Sequence, residues 1–422
     1  MSESEKVLML VENASVPGDP RVWREAQTLA HNGYQVCIIS PRGETRDTEP
    51  YTYLDGIHIY RYHLPTVSAG TWGYIQEYSI ALLKTFALSW NVLFKHGFDV
   101  IHAANPPDLF FLIGAFYRLF GKKFIFDQHD LAPEIFNVKF QRRKTRLYKL
   151  LCLLERCSYK TAHLVITTNG SQKQNAMLRG KCTPEKIFVV RNGPDLARYQ
   201  VTTQVDCTLK AQFKQRFLLA YIGVMGRQDG IEYAIQALDE LVHKRQRNDI
   251  GLVLMGDGEQ LVALKALTAQ LGLEEYVYFT GWLQRTEMLR YLSICDIGLT
   301  PDPSNELNDH STMLKTMEYM ALSKPVVAFD LPETRVSAED AALYATHNSI
   351  HEFADHIETL LADETLRRTM GQKGRQRVEE TLCWERTSLN LLQAYRRLFP
   401  HHRASTRDIP TIITDDNGSI VL

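Results

Sequence analysis

The residues able to do chemistry gather in a few short segments. The sharpest is NDHSTMLKTMEYMALSKPVVAFD, residues 308–330. Asp309 or Ser311 is placed to cap a helix that runs to about Leu322. At 3.6 residues per turn, Met313, Leu314, Met317, Met320 and Ala321 share one face, and Ser311, Lys315 and Glu318 share the other. An ammonium and a carboxylate so spaced suit a solvated ion pair, or they suit a ligand. In the second case Lys315 meets phosphate oxygens, and the two oxygens of Glu318 accept from two vicinal ribose hydroxyls.

Glycine loops point the same way. In FLLAYIGVMGRQDGIEYAIQAL, residues 217–238, an apolar run ends in Gly223, Gly226 and Gly230, with Arg227 between them, before a helical pattern begins. Glycines there let the backbone approach a phosphate, and a following helix would face it with unpaired N–H groups. LMGDGEQ, with Gly256 and Gly258, repeats the idea more weakly; a plain turn explains it equally well. In the first half, His129 stands in FIFDQHDLAPE at a strand end, followed by Asp130 and Glu134. An imidazole there can exchange a proton or a hydrogen bond with a ligand; it can also be purely structural.

Other features limit the classes open to the chain. The net charge of −1 over 422 residues offers no global basic field for nucleic acid. The seven cysteines are scattered and form no CxxC pair, which argues against a disulfide framework or a zinc site. No acid pair stands at a strand end to hold a metal, so no metal is expected. The N-terminus enters a strand pattern directly, without the regions of a secretory signal, so a cytoplasmic location is expected. No apolar run reaches 18 residues; the nearest, 74–94, is broken by Gln76, Glu77, Lys84 and Asn91 and reads as one or two amphipathic helices. Residues 139–160 carry Lys139, Arg142, Arg143, Lys144, Arg146, Lys149, Arg156 and Lys160 against the single acid Glu155, with leucines interleaved. That segment suits either an ordinary solvated helix face or peripheral contact with an anionic membrane.

The elements that must hold these residues alternate between short apolar runs and longer helical patterns, the signature of βαβ units and parallel sheets. Strands are expected at 6–12, 35–40, 99–103, 123–127, 163–167 and 187–190, with a helix at 107–120. The pattern restarts with strands at 217–223, 251–255, 276–280, 297–300 and 325–329. A polar stretch at 192–205 reads as a linker. The fold class expected is α/β, two Rossmann-like domains facing one another across a cleft, 1–195 and 206–383. A last helix at 384–400 is free to cross back to the first domain, and 401–422 reads as a loop-like tail.

Taken in order, FDVIHAANPPDLF, FIFDQHDLAPE, VVRNGPDLARY, YIGVMGRQDGIEYAIQAL, LVLMGDGEQ, VYFTGWLQRTEMLRYLSICDIGLTP and KTMEYMALSKPVVAFD resemble glycosyltransferase family 4 over nearly the whole chain. The resemblance implies the GT-B fold, with 1–195 on the acceptor side and 206–383 on the nucleotide-sugar side, and a retaining transfer from a nucleotide diphosphate sugar, UDP favoured, to a glycan or lipid-linked acceptor in polysaccharide or glycoconjugate synthesis. It implies Glu318 as ribose ligand, Gly223 in the phosphate loop, and Gly281, Trp282 and Leu283 beside the base. His129 falls near sugar and acceptor, and the loop holding Gly18, Asp19 and Arg21 approaches donor phosphates and acceptor. The chain departs from the family in three places. The first acid of E-x7-E falls on His310, leaving Asp309 as the adjacent carboxylate. The basic pair of the phosphate loop falls on Val224 and Asp229, leaving Arg227 and Lys315 as cations. VPGDPR replaces a glycine-rich loop. A non-catalytic nucleotide-sugar-binding partner subunit and another GT-B enzyme, such as an epimerase, are the alternatives.

Overall fold

The computed structural model describes residues 4–43, 45–65, 71–140, 145–201, 206–402, 413–414 and 420–421. The chain forms two compact units, one of Met1–Arg191 with Ser388–Leu422 and one of Asn192–Thr387.

The first unit is built on strands β1 (Lys6–Leu10), β2 (Gln35–Pro41), β3 (Tyr51–Leu54), β4 (Ile57–Tyr62), β5 (Val100–Ala104), β6 (Lys123–Gln128), β7 (Leu164–Thr167) and β8 (Ile187–Val189), in the order β3-β4-β2-β1-β5-β6-β7-β8. All neighbours are parallel except the β3–β4 hairpin at one edge. The inner strands are near-continuous apolar runs because helices cover both faces of a parallel sheet. Those helices are α1 (Pro20–His31), α2 (Thr71–Lys95), α3 (Phe111–Arg118), α4 (Ala132–Phe140), α5 (Arg146–Thr161) and α6 (Gly170–Leu178). Ala81 and Val92 of α2, Ile113 and Tyr117 of α3 and Tyr159 of α5 join Leu8, Ile39, Ile101, Phe124 and Val165 in one core. Gly114 permits the close approach of α3: a Cβ there would lie 2.6 Å from the Phe124 ring.

The second unit holds β9 (Phe217–Ile222), β10 (Ile250–Met255), β11 (Val277–Gly281), β12 (Ile297–Thr300), β13 (Val326–Phe329) and β14 (Ala342–Ala345), all parallel, in the order β11-β10-β9-β12-β13-β14. Its helices are α7 (Cys207–Lys210), α8 (Ile231–Asp239), α9 (Leu261–Gln270), α10 (Arg285–Ile294), α11 (Leu314–Ala321), α12 (Pro332–Ala338), α13 (Ile350–Ala362) and α14 (Glu364–Arg377). Both units are therefore Rossmann-like. In each, the chain winds outward from a central strand and resumes on its other side, between β1 and β5 and between β9 and β12. Ligands of such sheets bind at the carboxyl ends of the strands flanking that reversal.

Several elements differ from expectation. The β3–β4 hairpin carries Tyr, Thr, His and Arg at mixed positions and offers no clean alternation. Strand β14, ALYA, is too short to stand out. The 74–94 region is one 25-residue helix, and no helix among the described residues is long and apolar enough to cross a membrane. The helix expected from 107 begins at Phe111, after a turn at 108–110. The 192–205 stretch is not loose throughout: Tyr199 is buried in the core of the second unit, and Arg375 donates to its carbonyl at 2.8 Å. In the tail, 413–414 and 420–421 pair as short antiparallel strands.

The last helix, α15 (Trp384–Leu398), carries the chain back into the first unit from Ser388 onward. Its Tyr395 Oη lies 2.9 Å from Nδ1 of the buried His102, and Tyr34 packs edge-on against the Tyr395 ring. Asn390 donates to the Val189 carbonyl at 2.9 Å. Tyr395→Phe would strand a buried imidazole nitrogen, so urea titration should show a loss of about 1–3 kcal/mol. An unchanged midpoint would mean that the helix is held by apolar packing alone.

Candidate active site

In the second unit the loops leaving β9, β10 and β11 interlock. Gly223, at φ 141°, donates its N–H to the Met255 carbonyl at 3.1 Å, and Gly256 donates to the Gly281 carbonyl at 3.0 Å. A Cβ on Gly256 would lie 1.8 Å from the Gly223 oxygen, and one on Gly258 would lie 2.6 Å from the Met225 oxygen. Backbone against backbone thus accounts for the glycines at 256 and 258. The Gly226 N–H is already used, donating to Asp229 Oδ2 at 3.1 Å, and a 3-10 turn, Arg227–Asp229, separates this loop from α8. Arg227 itself is exposed.

Helix α11 begins at Leu314, later than expected, and no side chain caps it. Asp309 lies in a 3-10 turn, Asn308–His310, where Oδ2 accepts from Ser304 at 3.2 Å and Oδ1 is buried without a hydrogen-bond partner. His310 Nδ1 lies 3.1 Å from the Glu306 carbonyl, and Ser311 Oγ donates to the Leu307 carbonyl at 2.8 Å. The apolar face is also rotated from the expected one: Leu314 is exposed, whereas Lys315 and Thr316 are buried. The cause is polar pairing at the end of β12, where Thr316 Oγ1 lies 3.1 Å from Thr300 Oγ1. Lys315 Nζ donates to Asp302 Oδ1 and Oδ2 at 2.8 and 3.1 Å and to Asp229 Oδ1 at 3.4 Å, 4.8 Å from the centre of the Tyr221 ring. Burial alone would lower the Lys315 pKa, but Asp302 and Asp229 outweigh it and hold it above the ordinary lysine value. Burial raises Asp302, against the pull of Lys315. Lys315 and Glu318 therefore do not pair with each other; Glu318, half-buried, accepts from Tyr199 Oη. Trp282 is largely exposed at the end of β11, and Leu283 packs against the core.

In the first unit the centre is Asp127, the fully buried end of β6. Its Oδ2 lies 2.5 Å from His129 Nε2 and 3.2 Å from His102 Nε2, and its Oδ1 accepts from Arg21 at 3.1 Å. Burial opposes the charge on Asp127, but Arg21 and His129 prevail and hold its pKa well below the usual carboxylate value. For His129, burial lowers the pKa and Asp127 raises it, with a net upward shift. The pair thus favours an imidazolium. Asn105 fixes the turn, accepting from the His129 and Asp130 amides at 2.7 and 3.1 Å, while Gln172 donates to the His129 carbonyl at 3.3 Å.

The acceptor-side residues land differently. Asp19 caps α1, accepting from the Arg21 and Val22 amides at 3.0 Å each, and Gly18 is exposed beside it. Arg21 is buried and turns inward to Asp127, to Glu25 at 3.0 Å and to the Val190 carbonyl at 2.9 Å. Glu134 gives both carboxylate oxygens to Arg179, at 2.6 and 3.2 Å, and Arg179 also pairs with the buried Glu155. Asp130 keeps a raised pKa, chiefly through burial. Arg142, Arg143 and Lys144 lie outside the described residues. Glu25, His102 and Asp127 could hold a metal, with one ligand atom from each inside 4.8 Å of the others; Arg21 forms ion pairs with both carboxylates, at 3.0 and 3.1 Å, while both Glu25 oxygens are buried without a hydrogen-bond partner. Sequence reasoning missed Asp302, Asp127, Glu25, His102 and Asn105. An acid one to three positions past the strand's last apolar residue, as in FIFD and IGLTPD, was the available signal.

Two family profiles match the chain: Glycosyl transferases group 1 over residues 210–377 and Glycosyltransferase Family 4 over residues 21–198. An alpha-D-kanosaminyltransferase of Streptomyces kanamyceticus is 27% identical over 171 residues, 39% of this chain and 42% of that protein. An uncharacterised glycosyltransferase of Methanocaldococcus jannaschii is 22% identical over 75% of this chain and 78% of its own length. Among solved structures, a sucrose-phosphate synthase of Thermosynechococcus elongatus superposes with a TM-score of 0.74 at 20% identity, covering 94% of this chain and 99% of that one. Anabaena HepE in complex with UDP-glucose does so with a TM-score of 0.70 at 18% identity, covering 93% and 99%. At these identities the superpositions speak to fold.

Several buried acids of the first unit carry raised pKa values. Burial is the main cause throughout, reinforced by Glu77 for Glu12 (to about 8), by Glu155 for Asp108 (to about 8) and by Asp127 for Glu25 (to about 7). A pKa raised on folding gives stability that is complete below the unfolded value and lost as pH climbs through the folded one. Asp127, lowered, is fully ionised above pH 5 in both states and does not oppose this. The lowered imidazoles of His58, His96 and His163 oppose this only up to their unfolded value near 6.5, so from there to about pH 8 stability should fall, by at most about 1.36 kcal/mol per pH unit for each acid, and the melting temperature with it. Glu12→Gln, which removes one such proton, should gain on the wild type as pH rises; parallel profiles would reject the assignment.

Proposed function

Because the chain belongs to the family 4 glycosyltransferases, we propose that it transfers a sugar from a UDP-sugar, with retention of configuration, to a hydroxyl of a glycan or lipid-linked acceptor. The observation that carries the donor half is the set of strand-end loops around β9 and β12, where a buried lysine meets the Gly223 turn. A Cβ on Gly223 would lie 3.7 Å from Lys315 Cε, so the ammonium and the turn border one spot. HepE, of the same fold, holds UDP-glucose.

Breaking the bond between anomeric carbon and phosphate builds negative charge on the departing diphosphate and positive charge on the sugar. Lys315 contributes by exchanging its long contact, Asp229 at 3.4 Å, for a phosphate oxygen while Asp302 keeps it in place. Arg227, exposed on the same loop, adds a second cation without crossing a low-dielectric region. Glu318 takes the ribose, and Asp309, whose Oδ1 lacks a partner, takes a sugar hydroxyl where the family's first acid is replaced by His310. Gly281, Trp282 and Leu283 border the base. His129, kept protonated by Asp127, donates from its other ring nitrogen to a sugar or acceptor hydroxyl. No metal is required by this scheme. A second reading, a nucleotide-sugar-binding subunit without turnover, is favoured by the prior engagement of Lys315 by two acids and of the Gly226 amide by Asp229.

A thermal-shift panel of UDP-, GDP- and ADP-sugars separates donors, since a ligand at 100 times its Kd stabilises by about 2.7 kcal/mol. UDP-sugars should give the largest shift, and Glu318→Ala should abolish most of it; an intact shift rejects the ribose assignment. Release of UDP in the presence of acceptor extract distinguishes turnover from binding alone. In an active preparation, Asp127→Asn should lower kcat and move the alkaline limb of the pH profile to lower pH, because His129 loses the carboxylate that raises its pKa. An alkaline limb left in place would exclude the imidazolium.

A further inference from the structure

Helices α2, α3 and α5 lie side by side over one face of the first unit's sheet, with their inner side chains in one core. Their outer side is unusual for protein facing water. On α2, Leu83 and Phe94 are 68% and 79% exposed; at the end of α3, Leu119 and Phe120 are 82% and 61% exposed. With Leu112 these make an apolar ridge on the order of 600 Å², at or above the largest patch a soluble monomer usually shows.

The ridge is rigid. An aromatic ladder runs out from the core, with Phe86 against Phe116 at 5.1 Å, Phe116 against Trp90 and Phe120 at 5.8 and 5.3 Å, and Trp90 stacked on Phe94 at 5.8 Å. The two outermost rings are therefore held outward. A basic collar surrounds them. The turn after α3 reads Arg118-Leu119-Phe120-Gly121-Lys122-Lys123, setting its most exposed apolar pair between cations. Next to it, α5 exposes Arg146, Lys149, Arg156 and Lys160 around Leu150 and Leu153. Of the acids nearby, Glu155 is buried against Arg179, and Asp99, 3.7 Å from Lys122, offsets one of these cations and leaves the others.

We propose that this ridge, with its collar, is a docking surface for an anionic lipid bilayer. Hydrocarbon accepts the leucines and phenylalanines, lipid phosphates accept the basic rim, and long cationic stems reach the headgroups while their methylenes lie over the apolar ridge. The surface extends the basic helix noted in the sequence by two elements, α2 and the end of α3, that its charge pattern did not indicate. The assignment is independent of the donor site.

Flotation of the full chain with phosphatidylcholine vesicles, with and without phosphatidylglycerol, tests it. The chain should float with the mixed vesicles and not with pure phosphatidylcholine, and added salt should weaken the association. Leu119→Ser/Phe120→Ser and Lys149→Glu/Arg156→Glu should each lower partitioning by about tenfold or more, with unchanged melting temperature and donor binding. No flotation at low salt, or wild-type partitioning in both variants, overturns the proposal. So does a dimer in light scattering that Phe94→Ser dissolves, since a second copy would then cover the ridge.

Discussion

Each sheet keeps a cation buried between two carboxylates close to the ends of its strands. In the first unit it is Arg21 between Asp127 and Glu25; in the second it is Lys315 between Asp302 and Asp229. A lone charge in such a place would be neutralised or hydrated, so chemistry placed there must be paired before any ligand arrives. Much else follows from that constraint. Arg21 must sit one turn before Glu25 on α1, the first turn of α11 must face inward, and the strand ends at 127 and 302 must carry acids.

The two triads differ in looseness. Around Asp127 every contact is short, and the carboxylate is shared among a guanidinium and two imidazoles. That arrangement suits a group meant to hold another in place, here the ring of His129. Around Lys315 one contact is long, and its acid belongs to a loop that also uses the same carboxylate to bind the Gly226 amide. A phosphate arriving there competes with a single weak partner. Under the proposed function, positioning in one unit and exchange in the other are what transfer would ask of His129 and Lys315.

Packing on the far side of the first sheet obeys a different rule. The inner faces of α2, α3 and α5 are ordinary core, yet the ladder from Phe86 through Trp90 to Phe94 continues past the point where burial ends. Rings fixed outward lose little conformational freedom on contact, which lowers the cost of inserting them into another phase.

Much was legible in one dimension. Apolar runs of strand length alternating with helical patterns are local facts, so the α/β class and both parallel sheets could be read directly, and the ordered motifs carried the family. Glu318, Lys315, His129 and the glycine loops were visible as residue types. What each side chain touches was decided only by the tertiary structure. Arg21 looked like charge offered to a ligand and is an internal strut, because Asp127 lies 106 positions away in sequence and 3.1 Å away in space. Glycines 256 and 258, read in the sequence as a weak sign of a ligand cradle or as a plain turn, are demanded by the neighbouring loop. Helical periodicity placed Leu314 inward and Lys315 outward, and the reverse holds because two acids on other loops outweigh the apolar preference of a single leucine. Local pattern fixes the period of an element; its rotation and its partners depend on long-range pairing, which spacing along the chain does not encode.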